Sequence, residues 1–242
     1  MLLDRIDHDN YLWDPWYGCY KISEACQNCY INNLNSFLDI FYFPDRRRLQ
    51  EGSIVVIGTH TDFFLEEADH LRQKAWDIIK QNPKVIFEIY TKRVERINKC
   101  LPDDWNEGWD NVIFCVTAET QRRADERLPI LLNEVKCKHK WINCAPLLEE
   151  LDISKYLETG KIESVTTSGE RRINGNVRST KYEWVESLSK QCRQYNVHFE
   201  VMFLGNMFIQ NDTIIEDDYK CFKSPLAYKL KLNNYTSIFF DI

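Results

Sequence analysis

Three cysteines fall within eleven residues, Cys19, Cys26 and Cys29, in a C-x6-C-x2-C arrangement. Thiolates at this spacing suit one soft-metal site, because the two-residue gap lets neighbouring sulfurs face the same ion and the six-residue loop returns the third. Three ligands leave a coordination position open, whereas a structural zinc site is normally closed by four. The residues alone fit two centres: a [4Fe–4S] cluster with one iron open to an exogenous ligand, or a zinc completed by a distant residue such as His60. Plain packing is the third reading, since free cysteine is among the most buried residue types. The other six cysteines take that third reading. Cys115 and Cys144 lie in strand candidates, Cys192 lies on a helix face, and Cys100, Cys137 and Cys221 show no partner spacing.

Positioning such a loop requires a scaffold, and the pattern alternates short β-rich runs with longer amphipathic segments, as βα units around a parallel sheet do. Strands are predicted at 53–58, 84–90, 111–117, 140–144, 161–167 and 197–204, several of them apolar at successive positions as in strands covered on both faces. Helices are predicted at 24–37, 65–81, 94–100, 120–135, 147–157 and 181–195, with Trp184, Leu188 and Cys192 on one inward face of the last. The expected fold is α/β, a partial or complete parallel (β/α) barrel of about six strand–helix units with the three-cysteine loop ahead of it. Residues 1–205 form the barrel domain, and 206–242 form a C-terminal extension packed on it.

In open sheets and barrels alike, ligands gather at the carboxyl ends of the strands. The residues there are unusually polar: Thr59, His60, Thr61 and Asp62; Thr91, Lys92 and Arg93; Glu119; Ser168, Gly169 and Glu170; Asn206. Asp62 is either a functional polar group or the N-cap of the helix at 65–81, the cap being favoured. His60 suits proton relay or metal binding. Trp13, Trp16, Tyr17 and Tyr30 either roof the barrel mouth or pack an N-terminal segment. The run Arg46-Arg47-Arg48 is a solvated loop or a local phosphate contact.

The 242 residues are enough for one well-filled domain without disulfide or metal staples. A formal charge of −6 argues against blind nucleic-acid coating and leaves room only for a local contact. No apolar stretch approaches the roughly 20 residues of a membrane helix, and Met1-Leu2-Leu3-Asp4-Arg5 lacks a signal-peptide pattern. A cytoplasmic protein is expected, in which nine cysteines imply thiol, metal or redox chemistry, not a disulfide framework.

The run from Trp13 to Tyr30, WDPWYGCYKISEACQNCY, resembles the opening W-N-P-x-x-G-C-x-K-x-S-x-G-C-x-x-C-Y of the phage-type three-Cys-motif proteins, which look like a divergent branch of the radical S-adenosylmethionine (SAM) enzymes. VVIGTHTDFF, YTKRVER, VIFCVTAE and WINCAPLL are similar to four further elements of that family, in the same order. Ser168-Gly169-Glu170, with Arg178 behind it, stands where the family has G-G-E-S-G and a nearby arginine, and the likeness ends with the helix and strand of 183–205. Departures are Asp14 for Asn, Ala25 for Gly, Val94 for Pro, and the lack of an acid before Pro146. The spacing also differs from the C-x3-C-x2-C of most radical SAM enzymes, and Tyr30 follows the last cysteine where their aromatic residue usually precedes it.

The resemblance implies that Cys19, Cys26 and Cys29 bind a [4Fe–4S] cluster whose open iron chelates SAM, with Tyr30 beside it. SAM presents a carboxylate, an ammonium and a ribose. Lys92 or Arg93 suits the first, Ser168-Gly169-Glu170 the second and Glu119 the third. His60 and Glu119 are the catalytic candidates. The function implied is an iron–sulfur, SAM-dependent radical enzyme acting on a small molecule, a nucleotide or a nucleic-acid base, and served by an electron donor. A zinc-stabilised module that binds a nucleotide or a protein partner without turnover is the alternative, and a nucleic-acid-processing protein with structural cysteines is a third.

Overall fold

The computed structural model describes residues 4–5, 10–29, 31, 36–44, 49–171, 176–216 and 224–236. Its strands are β1 (Asp4–Arg5), β2 (Asn10–Leu12), β3 (Tyr17–Cys19), β4 (Ser36–Leu38), β5 (Ile54–Ile57), β6 (Ile86–Thr91), β7 (Val112–Thr117), β8 (His139–Cys144), β9 (Ser164–Ser168), β10 (Thr180–Lys181), β11 (His198–Phe203), β12 (Phe208–Gln210) and β13 (Thr213–Ile215). Its α-helices are α1 (Asp69–Gln81), α2 (Gln121–Asn133), α3 (Ser154–Leu157), α4 (Tyr182–Gln194) and α5 (Pro225–Lys229). Seven strands run parallel in the order β2-β5-β6-β7-β8-β9-β11, with β1 antiparallel at one edge, and the sheet curls into a half-barrel. Two small sheets flank it, β3 with β4 and β10 with β12 and β13.

Alternation along each strand divides the sheet into two faces. One face carries Val55, Ile57, Phe87, Ile89, Phe114, Val116, Ile142 and Val165, which pack in one cluster with Trp76 and Ile79 of α1, Leu128 and Leu131 of α2, and Leu188 and Cys192 of α4. Burying each large apolar side chain there contributes about 1.5–3 kcal/mol, which makes this layer the main source of stability. Phe208, Ala227 and Leu232 join the same core from beyond residue 205. The opposite face carries a separate small cluster of Ile86, Ile113, Cys115 and Trp141, flanked by Ile54 and Tyr90, to which no helix contributes among the described residues.

All six predicted strands are present, and β2 adds a seventh at the edge of β5, where Trp13 N–H continues the ladder to the Val56 carbonyl at 2.9 Å. Several predicted helices change. The expected helix at 24–37 is a 3-10 turn at Glu24–Asn28 followed by β4, which pairs with β3. Its asparagine-rich sequence is a weak helix former, so ladder bonds to β3 prevail. The expected helix at 147–157 keeps only α3, because Leu147 and Leu148 N–H groups are committed to the Ser168 and Glu119 carbonyls. Residues 94–100 form a 3-10 helix, and α1 starts at Asp69 after a 3-10 turn at Glu66–Ala68. On α4 the fully buried positions are Val185, Leu188, Ser189 and Cys192, with Trp184 only half-buried.

Candidate functional site

Strand β3 delivers Cys19 to the carboxyl ends of the parallel strands. Gly18 makes this approach feasible: its φ is +101°, and a Cβ there would lie 2.0 Å from the Ser36 carbonyl oxygen of β4. The loop from Cys19 to Cys29 is then tied to four strand ends in turn. After β5, Thr61 Oγ1 donates to the Gly18 carbonyl at 2.8 Å. After β6, Arg93 donates to the Tyr20 carbonyl at 2.9 Å and lies 3.6 Å from Cys19 Sγ. After β7, Arg123 of α2 pairs with Glu24 at 3.0 Å. After β9, Glu170 accepts from Asn28 Nδ2 at 2.8 Å, and Arg178 donates to the Glu24 carbonyl at 3.0 Å. The loop therefore spans the mouth of the half-barrel.

The three thiols are neighbours. Cys26 acts electrostatically on both Cys19 and Cys29. Burial pushes the Cys19 thiol up, and the Asp62 carboxylate adds to that against the opposing pull of Arg93. Cys29 is likewise raised, by burial first. At Cys26 burial also acts upward, but the charge of Lys92 and hydrogen bonds from Ile22 and Ser23 outweigh it, so this thiol sits below its ordinary value. Cys26 is thus the most anionic of the three. The half-buried Lys92 ammonium has no hydrogen-bond partner among the described residues, which leaves it available to an anion.

Other predicted residues divide into those held by partners and those with capacity to spare. Asp62 is not a helix cap. Its side chain accepts from Phe64 N–H at 3.0 Å, Thr91 Oγ1 at 2.7 Å, Lys92 N–H at 3.0 Å and Arg93 Nη1 at 3.0 Å. It therefore fixes the end of β6 and aims Arg93 at the cysteine loop. Because Arg93 is shared among Asp62, Tyr20 and Cys19, its role is to position the loop. His60 turns Nδ1 to the buried Asp14 carboxylate at 2.9 Å and stacks on Tyr17 at 5.8 Å. Asp14 in turn accepts from the N–H groups of Gly58, Thr59 and His60. Glu170 is gripped by the Arg178 guanidinium and by Arg178 N–H at 2.7 Å. Burial raises its carboxyl, and Arg178 with Asn28 reverses that to a net lowering.

Ser168 is buried at the end of β9, and Gly169 crosses Leu204 so closely that a Cβ would stand 2.2 Å from its carbonyl oxygen. Glu119 is fully buried. Its Oε2 accepts from Arg127 Nη1 at 2.7 Å, while Oε1 has no partner. Trp13 and Trp16 are fully buried in the core and are no roof. Tyr30 and Arg46-Arg47-Arg48 lie outside the described residues.

As a donor set the three thiols fit a thiophilic metal centre: soft ligands on one loop, mutually coupled, beside a cation that favours the thiolate form. Among the described residues no group of three or more His, Cys, Asp or Glu side chains closes to metal-holding distance on its own. His60, the residue that would complete a zinc set, turns its Nδ1 to Asp14.

The polar residues of the helix-free face, Glu88 and Tyr90 of β6 with Asn143 and Thr166 beyond them, escape a reading confined to strand ends. Their signal is present in the sequence as polar residues at every second position of Ile86-Phe87-Glu88-Ile89-Tyr90.

The sequence model of a family described as "Protein of unknown function (DUF5131)" matches residues 39–219, a span that begins after Cys29. No curated protein and no solved structure matches the chain. No helix among the described residues is long and apolar enough to cross a membrane.

Proposed function

This chain belongs to the DUF5131 family, and from that premise we propose that it is an iron–sulfur, SAM-dependent radical enzyme whose cluster is held by Cys19, Cys26 and Cys29. The observation that carries the reading is the position of the loop: three coupled thiols lie across the carboxyl ends of a parallel half-barrel, fastened to the ends of β5, β6, β7 and β9. When bound, a [4Fe–4S] group supplies the electron that reductively cleaves the carbon–sulfur bond of SAM.

The chain's own residues do the rest. Lys92, the available cation at the loop, takes the SAM carboxylate. Glu119 Oε1, an acceptor buried without a partner, takes a ribose hydroxyl. The backbone of Ser168-Gly169 offers acceptors to the ammonium. Arg93, Asp62, Arg178 and Glu170 hold the loop in register.

Anaerobic reconstitution with iron and sulfide, followed by reduction in the presence of SAM, tests the reading directly. Brown protein that releases 5′-deoxyadenosine is the expected result. A colourless protein that keeps one tightly bound zinc and releases none would overturn it in favour of a zinc-stabilised binding module.

A further inference from the structure

Inside the curl, on the helix-free face, the register aligns two rows of side chains. Tyr90 stands opposite Cys115, Cys115 opposite Trp141 and Trp141 opposite Ser164. One step nearer the carboxyl ends, Thr117 stands opposite Asn143, Asn143 opposite Thr166 and Thr166 opposite Glu200. The second row is hydrogen-bonded from Thr117 to Thr166, with Asn143 Nδ2 donating to Thr117 Oγ1 at 3.4 Å and Thr166 Oγ1 donating to Asn143 Oδ1 at 3.0 Å. Ser164 Oγ in the first row is fully buried and has no partner. Beside the rows lies Glu88, only 8% exposed, whose Oε2 accepts from Tyr90 Oη at 3.2 Å.

Curvature brings this lining together across the sheet. Strands β6 and β11 are four ladder steps apart, which on a flat sheet is about 19 Å. Glu88 nevertheless responds to the charge of Glu200. The face also reaches solvent. Ile54, Val56, Tyr90 and Glu200 are only half-buried, whereas Val55, Ile57, Ile89 and Val201 on the helix side are 0–1% exposed.

Packing does not account for such a lining. A buried carboxyl without a cation is destabilising, and none of the described inward positions on the seven parallel strands carries Lys or Arg. A buried carboxyl such as Glu88 disfavours a phosphate, while neutral amide and hydroxyl groups beside Trp141 match the donor and acceptor edge of an uncharged planar heterocycle.

We propose that the interior of the half-barrel binds a neutral nucleobase, with Asn143 and Thr166 reading its edge and Glu88 as the catalytic acid–base that protonates it. In that step the Glu88 O–H bond breaks as an N–H or O–H bond forms on the base, and the carboxylate later regains a proton from solvent. Tyr90 is a positioning residue that holds the carboxyl through its hydroxyl. This proposal rests on the enzymatic reading for its catalytic part and on the interior lining alone for its binding part. Burial raises the Glu88 carboxyl to about 7, with Glu200 adding to the rise and the Tyr90 hydroxyl opposing it. An acid there is poised to exchange its proton near neutrality. Among the described residues the other titratable group acting on it is Cys115 on β7, a neutral thiol raised well above its ordinary value by burial; β5 faces it with Val56 and contributes no titratable group.

Calorimetric titration of the purified full chain with cytidine, uridine and guanosine tests this, adenosine being omitted because SAM carries it. At least one nucleoside should bind, with an affinity that changes between pH 6 and pH 8. Asn143→Leu should weaken binding about tenfold, the worth of one paired edge contact, and Glu88→Gln should remove the pH dependence. Should either variant fail to fold, Thr166→Val repeats the first measurement. Tyr90→Phe then replaces the second, and should move the midpoint upward. Absence of nucleoside binding, or binding that these changes leave unaltered, overturns the proposal. If that happens while 5′-deoxyadenosine is still released, only the interior assignment fails. Nucleoside binding without release of 5′-deoxyadenosine removes the radical reading and the catalytic role, and leaves the binding site.

Discussion

The mouth of the half-barrel and its interior handle charge in opposite ways. At the mouth, charges come as close pairs of opposite sign: Asp62 with Arg93, Glu170 with Arg178, Glu24 with Arg123. Inside the curl, the buried Glu88 carboxyl has the Tyr90 hydroxyl as its hydrogen-bond partner and feels the charge of Glu200. Paired charges fix geometry, because each partner satisfies the other and neither has much left to offer a ligand. An acid held without a cation keeps a labile proton near neutral pH. The mouth is therefore a frame for the cysteine loop, and the frame leaves over the thiols, Lys92, Glu119 Oε1 and the interior acid.

The largest expected effect separates the framed thiols from cysteines of the core. Cys29→Ala should abolish iron–sulfur incorporation and SAM cleavage, whereas Cys192→Ala, on the helix-covered face, should leave both intact. Equal behaviour of the two variants, read from the visible absorbance of reconstituted protein, would erase the distinction between loop and core.

Next in size is the break in the frame at the buried pair beside Cys19. Arg93 and Asp62 side chains are 8% and 6% exposed, so Arg93→Met strands a buried carboxylate and should cost about 3–5 kcal/mol in urea denaturation. A loss below about 1 kcal/mol would mean that the pair is solvated and the frame loose.

The interior should respond in the reverse sense. The Glu88 carboxyl is raised in the fold to about 7 from its ordinary 4.5. The folded state therefore holds this proton more tightly than the unfolded chain does. Its favourable contribution is complete below about pH 4.5 and disappears as pH rises through 7. Relative to the wild type, Glu88→Gln should thus gain up to about 3 kcal/mol above pH 7 and nothing below pH 4.5. Denaturation curves at pH 5 and pH 8 measure the difference, and a variant that is less stable at pH 8 contradicts the sign.

Legibility in the sequence followed the same division. The helix-covered face was readable because Val55 and Ile57, Phe87 and Ile89, and Phe114 and Val116 keep every second strand position apolar, and the strand-end polar residues were readable because the chain leaves each strand there. Their partners were not. That Asp62 would bind Arg93 rather than cap a helix depends on β5 and β6 lying side by side, a fact of pairing and not of local pattern. Strand β2 escaped notice because three residues carry no period, and the helix expected at 24–37 failed because tertiary ladder bonds outweighed a weak local preference. The interior row was legible in part: Glu88 breaks an apolar strand, but only the curl makes Glu200 its neighbour.

The smallest effect tests the frame where it meets solvent. Asp14 stands where the resembled motif carries Asn, and its partner His60 has a side chain 38% exposed. In Asp14→Asn the amide oxygen can still accept from Gly58 N–H and Thr59 N–H, the two donors now on Oδ1 at 3.0 Å each. The new NH2 group replaces Oδ2, which now accepts from Thr59 Oγ1, His60 N–H and His60 Nδ1. A hydroxyl can rotate to accept and an imidazole can change tautomer, so the main loss is the acceptor for one backbone N–H, about 1 kcal/mol. Thermal denaturation should show that modest drop while SAM cleavage persists. A drop as large as that of Arg93→Met would place Asp14 among the buried pillars of the mouth, and the graded frame inferred from burial would give way to a uniform one.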